Sequence, residues 1–397
     1  MEEEKLDDLI SSLPFEIQQR VVSLMPLKEA VRTSTLSTFW RSLWSPIQVN
    51  LNFDPNPIIH EGSGQDVKQV IGMFLRSYAC PEQLKLNLKV TDHTNEELVV
   101  KATKGVDQEL HLEFFETQKV ATKTCLYLRS NPTQNANFFG VKLLHLRSVA
   151  NLSKPLVAML FSNCNVLESL RLEKCRGLES LEVETESLQS LVVEDCSDMA
   201  AIVVSAPNLK SFEFRGALPQ IDIKKTVSLV NAVLNLRDGP GSNQFECEDV
   251  LSILASLKDV EVLTISGWLL EWLCWGGVIF GRLAFKFNKL RELSWTDSVI
   301  NKEKRDSLAC FLNICPSLVK LSVEIQSNLS FIPSPFFHQY WHEPHLWMDF
   351  TTVKSNTSEL EQLKHVDLVG FVGKEDELLL MGLLLEKAIR LNSLTIV

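Results

Sequence analysis

The stretch LESLRLEKCRGLESLEVETESLQSLVVEDCSDMAAIVVSAPNLKSFEFRG, residues 167–216, decides how this chain folds. Its apolar residues recur as Leu167-x-x-Leu170-x-Leu172, Leu178-x-x-Leu181-x-Val183, Leu188-x-x-Leu191-x-Val193, Met199-x-x-Ile202-x-Val204 and Leu209-x-x-Phe212-x-Phe214. The first residues of these units stand 11, 10, 11 and 10 apart, so two units make 21 residues. Cys175, Cys196 and Gly216 follow every second unit, at spacings of 21 and 20. Alternation inside each unit is the period of a strand with one buried face. A half-unit of ten or eleven residues is too short for a strand plus a helix. Each solenoid coil therefore carries two short strands, one per face, with cysteine at a turn position of leucine-rich-repeat type.

Beyond residue 216 the repeat lengthens. Val260-x-x-Leu263-x-Ile265, Leu290-x-x-Leu293-x-Trp295, Leu318-x-x-Leu321-x-Val323, Leu363-x-x-Val366-x-Leu368 and Leu391-x-x-Leu394-x-Ile396 read as strand cores. Helical patterns lie between them over 248–257, 302–314 and 375–389. Strand followed by helix, at about 28 residues per coil, fits a curved α/β solenoid. Toward the N-terminus, Leu84-x-Leu86-x-Leu88 and Leu110-x-Leu112-x-Phe114 read as its first coils.

The N-terminus follows a different pattern. Pro14 suits the first turn of a helix, with Ser11 or Ser12 as its cap, and Ile17, Val21 and Leu24 share one face. Met25-Pro26 stops that helix, 28–35 reads as a second, and 36–44 as a third opened by Ser37. So small a unit cannot bury all its large side chains, so the rest of the chain or a partner must cover Leu36, Trp40, Leu43 or Trp44. The string LPFEIQQRVVSLMPLKEAVRTSTLSTFWRSLW resembles the F-box of plant F-box proteins, through the LP pair, Met25-Pro26, KEAVRTS, LS and the tryptophan. Phe15 stands where such motifs commonly carry an acid, and Phe39 where they commonly carry a base. The resemblance implies docking on a Skp-family adaptor, and through it on cullin and RING subunits of a ubiquitin ligase. The residues it assigns to docking are Leu13, Pro14, Ile17, Leu24, Pro26, Val31, Leu36, Trp40 and Leu43.

A second resemblance lies at the other end. Leu363-Lys364-x-Val366, Gly370-Phe371-x-Gly373, Glu377-Leu378 and Leu384-Leu385-Glu386 are similar to the FBD module that accompanies F-boxes and leucine-rich repeats in plants. Family members usually run on past this strand, so the strand at 391–397 is expected to be an exposed edge. The organisation expected is an acidic tail at 1–8, an F-box at 9–50 and a linker with solenoid entry at 51–79. Repeats follow at 80–360, with an insertion at about 326–359, then an FBD-like strand-helix-strand segment at 361–397. The fold class expected is α/β, a three-helix F-box followed by a curved leucine-rich-repeat solenoid.

Composition narrows the function. A net charge of −11 argues against nucleic acid, which needs a basic face. The most apolar stretch, 268–285, is interrupted by Glu271 and Arg282 and is too short to span a bilayer. Nine scattered cysteines without a C-x-x-C pair fit reduced thiols, and MEEEKLDD is no secretory leader, so nucleus and/or cytoplasm is the expected location. The three N-x-Ser matches are then expected to carry no glycan. His338, His342 and His345 have helical spacing for a metal, but no zincin glutamate is present and Pro333, Pro335 and Pro344 crowd a helix. A surface insertion is the expected reading, with no metal and no cofactor. No Walker, dinucleotide or Gly-x-Ser-x-Gly motif occurs, so no catalytic residue is expected and the chain reads as a non-catalytic subunit.

In an xLxLx strand the residues flanking the leucines point outward. The face so defined presents Arg171, Glu173, Val192, Glu194, Glu213 and Arg215 as candidate contacts to a protein substrate, with neither charge sign dominant. The opposite face presents Ser180, Glu182 and Glu184, then Ala201, Val203 and Ser205. Trp268, Trp272 and Trp275 recur at near-helical spacing, read as core packing ahead of a recognition patch. The function expected is a substrate-recognition subunit of a Skp–cullin–F-box ubiquitin ligase. The alternatives are a repeat scaffold with a degenerate F-box, or a small-molecule-dependent receptor of the same architecture.

Overall fold

The computed structural model describes residues 10, 13–24, 33, 36–42, 85–90, 109–114, 141–149, 152–239, 247–326 and 350–397. The chain divides into two compact units, Met1–Leu178 and Glu179–Val397. In the first, α1 (Phe15–Leu24) and α2 (Thr38–Ser42) precede β1 (Lys85–Val90), β2 (Glu109–Phe114), β3 (Leu143–Arg147), α3 (Lys154–Asn163) and β4 (Ser169–Glu173). These four strands pair in parallel, in sequence order. Register aligns Leu86, Leu110, Leu144 and Leu170 in one column and Leu88, Leu112, Leu146 and Leu172 in the next. The two early leucine runs are therefore coils of the repeat, as the pattern implied. Helix α3 is an addition that the weak periodicity of 154–163 did not announce; Pro155 sits in its first turn, where a missing N–H costs nothing.

The second unit begins with the two-stranded coils. Strands β6 (Ser190–Glu194), β8 (Ser211–Arg215) and β10 (Asn231–Asn235) pair in one parallel sheet. Strands β5 (Ser180–Glu184), β7 (Ala201–Ser205) and β9 (Gln220–Lys224) form a separate parallel sheet of three. Between them lie the alternate side chains of both, with Leu181, Leu191, Ile202, Phe212 and Leu234 wholly buried. The same sheet then continues through β11 (Val262–Ser266), β12 (Glu292–Asp297), β13 (Lys320–Ile325), β14 (His365–Val369) and β15 (Ser393–Ile396). The first residues of β10, β11, β12 and β13 lie 31, 30 and 28 apart, long enough for a helix on the return path. Helices α4 (Cys247–Ser256), α5 (Gly267–Trp275), α6 (Lys302–Leu312), α7 (Phe350–Asn356) and α8 (Glu375–Lys387) take that place.

Two local devices set the coil. In five of the units the opening residue donates its N–H to the carbonyl three residues earlier. The pairs are Leu209 to Ala206, Val260 to Leu257, Leu290 to Phe287, Leu318 to Cys315 and Leu363 to Leu360, at 3.1–3.3 Å. A tight turn thus feeds each of these strands, and its first residue packs into the core as well. At the other end, Ser148, Lys174 and Asp195 directly follow β3, β4 and β6 with φ of 56°, 52° and 55°. This left-handed step turns the chain inward, so Cys175 and Cys196 are buried next to it. Each thiol donates to a strand carbonyl, Cys175 to Leu146 at 3.4 Å and Cys196 to Glu194 at 3.5 Å. Cysteine recurs there because the position takes a small apolar group with one weak donor.

The FBD-like residues are part of this solenoid. Strand β14 pairs with β13 on one side and β15 on the other. Gly370 has φ of 76°, and a Cβ there would lie 2.3 Å from the Ile325 carbonyl oxygen, so this position admits only glycine. Strand β15 is the last in the order, with Ile396 and Val397 exposed.

Candidate functional site

Two surfaces stand out. In the first unit α1 begins where the carbonyl of Pro14 accepts from Ile17 and Gln18, so the proline precedes the helix by one residue. Gln18 is buried and its Nε2 donates to the Ile10 carbonyl at 2.9 Å, which ties the leading residues to the helix. Its neighbours point the other way. Leu13, Ile17 and Val21, spaced by four, are exposed, as are Ile10, Phe15, Leu36 and Phe39. So many large exposed apolar groups on so short a segment form a continuous apolar surface patch. Ser37 accepts from the Trp40 N–H at 3.2 Å, the expected cap of α2, and Trp40 is half-buried. Leu24 ends α1; Pro26, Val31 and Leu43 lie outside the described residues, as does the second helix apart from Thr33.

The second surface is the outward side of the long strands. In the first unit Glu173 gathers three partners: His145 Nε2 at 3.2 Å, Arg147 Nε at 3.1 Å and Arg171 Nε at 3.9 Å. His145 and Arg147 escaped the sequence reading, although they flank Leu146 in the same xLxLx arrangement. In the second unit Arg215 bridges Glu213 at 2.8 Å and Glu194 at 3.5 Å. Arg237 pairs with Asp195, and Lys320 with Asp367 at 3.2 Å. Partly exposed pairs of this kind each stabilise by about 0–1 kcal/mol. Their larger effect is to neutralise the face from within. Of the six predicted contact residues, Arg171 and Glu173 in the first unit and Glu194, Glu213 and Arg215 in the second are half-buried. Val192 corrects the prediction. It is only 9% exposed, a short side chain in register beside the longer Glu213.

The tryptophan group divides. Trp268 and Trp272 are core residues, and Trp268 Nε1 donates to the Leu236 carbonyl at 2.7 Å. Trp275 ends α5 on the surface, 38% exposed. His338, His342 and His345 fall outside the described residues. Among the described residues no group of His, Cys, Asp and Glu is placed to hold a metal, and no helix is long and apolar enough to cross a membrane.

Sequence reading missed a buried ionic cluster in the second unit. Lys304 is wholly buried, with Nζ 2.5 Å from Asp297 Oδ1. Arg305 bonds Asp306 through Nε at 2.8 Å and Asp376 through Nη1 at 2.5 Å, which joins α6 to the first turn of α8. Burial pushes the Asp306 carboxyl up, while the Arg305 guanidinium pulls it down. Gly267 allows the close approach here, since a Cβ on it would lie 2.2 Å from the Trp295 ring. The five charged residues in 302–306 look like a solvated helix end in the sequence, and only their packing reveals otherwise.

Nearby thiols are held as neutral S–H groups. Burial pushes Cys310 up to about 12, and lifts Cys274 and Cys315 as well. A thiol reacts as its thiolate, so these three should resist iodoacetamide at pH 8 for hours in the folded chain. Mass mapping should find them labelled only after denaturation; rapid native labelling would refute the buried placement.

Comparison with known proteins agrees with this architecture. Residues 124–396 match the family model described as the At1g61320/AtMIF1 LRR domain, and residues 10–50 match the F-box domain. The FBD-associated F-box protein At1g61330 of Arabidopsis thaliana is 25% identical, over 93% of this chain and 86% of its own length. The F-box/FBD/LRR-repeat protein At4g03220 of the same plant is 24% identical, over 98% and 89%. A third Arabidopsis thaliana relative, F-box/LRR-repeat protein At5g02910, is 27% identical over 80% and 72%. An apolar N-terminal helix pair, a parallel repeat sheet that runs into the FBD-like residues, and these matches together place the chain in the plant F-box/LRR/FBD family, with an LRR domain of the At1g61320/AtMIF1 type.

Proposed function

We propose that this chain is the substrate-recognition subunit of a Skp–cullin–F-box ubiquitin ligase. The observation that carries the reading is the uncovered apolar stripe of the F-box segment, Leu13, Ile17 and Val21, in a chain that also bears a repeat sheet. F-box domains generally bind Skp1-type adaptors, and the stripe is the surface such a partner would cover. The outward strand face would hold the protein to be ubiquitinated. Catalysis then rests on other subunits. This chain contributes proximity, raising the effective concentration of target lysines near the loaded enzyme, and supplies no acid, base or nucleophile. Such a role places it in the nucleus and/or cytoplasm.

The test is co-precipitation of the full-length chain with a plant Skp-family adaptor, wild type against Leu13→Ala/Pro14→Ala. Both residues are exposed in the free chain, so the variant should keep its circular dichroism and melting profile. Binding should weaken by roughly 30-fold or more, as expected when buried anchors worth about 2–4 kcal/mol are truncated. A folded wild-type chain that fails to bind any adaptor would leave a repeat scaffold.

A further inference from the structure

The connection from α5 to β12 carries a third surface, apart from the F-box stripe and the strand face. From Trp272 to Arg291 the chain holds Arg282, Lys286, Lys289 and Arg291 and no acid, in a protein of net charge −11. Lys289 is spent on Asp259 at 3.3 Å. Arg282 and Lys286 are exposed, and among the described residues neither takes part in an ion pair. Exposure alternates from one to the other. Arg282, Ala284 and Lys286 face solvent, while Leu283 and Phe285 are half-buried.

The main chain here is open as well. The N–H groups of Ala284, Phe285 and Lys286, and the carbonyls from Leu283 to Lys286, have no partner among the described residues. Both ends of the segment are nevertheless fixed. Leu283 donates its N–H to the Phe280 carbonyl at 3.1 Å, and Phe287 donates to the Ile314 carbonyl at 2.8 Å. Phe287 is wholly buried, its ring centre 5.4 Å from that of Phe311. A segment held at both ends gives up little conformational freedom on binding. Its free donors and acceptors, side by side, are matched by another backbone, whereas a small anion satisfies only the donors. Two cations without a counter-charge attract carboxylates and repel a basic segment.

We propose that residues 282–286 form a docking site for an acidic polypeptide segment of a partner protein. Arg282 and Lys286 pair with its carboxylates, the open main chain bonds its backbone, and Leu283 and Phe285 take its apolar side chains. Nucleic acid would meet the same cations, but its phosphates cannot donate to the free carbonyls, and the net charge of the protein opposes it. The inference stands apart from adaptor docking, so loss of adaptor binding would leave it intact.

The test begins with display of random short peptides to the immobilised full-length chain. Enriched sequences should be rich in Asp and Glu with interspersed apolar residues, and poor in Lys and Arg. An enriched peptide, labelled with fluorescein, is then titrated with wild type, Arg282→Glu/Lys286→Glu and Ala284→Pro. The charge variant should bind more than about tenfold more weakly, since two attractions become repulsions. Both of its residues are exposed, so its melting profile should match wild type. Ala284→Pro removes one main-chain donor without touching charge, and Leu283, at ψ 144°, already has the conformation that precedes a proline. It should weaken binding about three- to tenfold. N-methylation of the peptide amides should weaken binding as well, with the protein left unaltered. Enrichment of neutral or basic sequences, no enrichment, equal binding by the charge variant, or binding indifferent to both backbone changes would each overturn the proposal. Single-stranded RNA that binds more tightly than any enriched peptide, and is lost in the charge variant, would overturn it in favour of nucleic acid.

Discussion

Asp297→Ala should lower the stability of the second unit by about 3–5 kcal/mol, because it removes the carboxylate in contact with the buried Lys304 ammonium. Asp297 closes β12 at 5% exposure, and its Oδ1 takes both the Lys304 ammonium at 2.5 Å and the Ser298 N–H at 2.7 Å. Lys304 has no surface to reach, since its side chain is wholly covered. An ammonium taken out of water loses several kcal/mol of hydration, and here a carboxylate at contact distance offsets that loss. Removing the carboxylate keeps the cost and deletes the compensation. Thermal melting should show a drop of roughly 6–20 °C for a unit of this size. The control is Asp297→Leu with Lys304→Met, which removes both charges at similar volume and should recover most of the loss. An Asp297→Ala protein within about 1 kcal/mol of wild type would mean that Lys304 finds other compensation, and the cluster would not matter as argued.

Glu377→Ala should cost about 2–4 kcal/mol, mainly by leaving backbone donors unpaired. One oxygen, Oε2, accepts the N–H groups of Val372, Gly373 and Lys374 at 2.9, 2.8 and 3.1 Å. Those three amides form a nest just before α8, shaped by the positive φ of Gly370 and Gly373, at 76° and 83°. The carboxylate is 1% exposed and also lies at the positive end of the α8 dipole. Glu377→Gln keeps one acceptor but loses the charge, so its loss should fall between wild type and alanine. Hydrogen exchange gives the local reading. The amides of 372–374 should exchange faster in Glu377→Ala while β11 keeps its protection. Unchanged exchange at 372–374 would refute the nest.

The nest explains a motif that the sequence displayed without its meaning. Gly370-Phe371-x-Gly373 and Glu377 were legible as family residues, yet their spacing alone does not say that the glycines aim amides at the glutamate. Strands were far more legible, since burying one face requires apolar residues at alternate positions, and the core ladder from Leu144 to Leu368 follows that rule. The two-strand coils could be inferred from chain length alone, because 21 residues hold two strands and two turns but no helix. Helix α3 was not legible: its exposed positions include Pro155, Ala158 and Ser162, so a short segment shows too little amphipathic contrast in sequence to stand out. Val192 was misplaced for a related reason. Alternation assigns a side of the sheet, whereas exposure depends on the length of the neighbours on adjacent strands.

By itself the sequence determined the repeat period, the strand positions, the lengthening of the coils after residue 216 and the F-box character of the N-terminus. Those features follow from local spacing, because one coil pairs with the next in a register that the apolar pattern already contains. Tertiary structure alone decided which charges are buried and which meet. Asp297 with Lys304, Arg305 with Asp376, and Glu173 with His145 and Arg147 are separated by up to 71 residues or look like ordinary solvated charges. Coulombic and desolvation energies depend on distance and burial in space, and neither quantity is written in the order of residues along the chain.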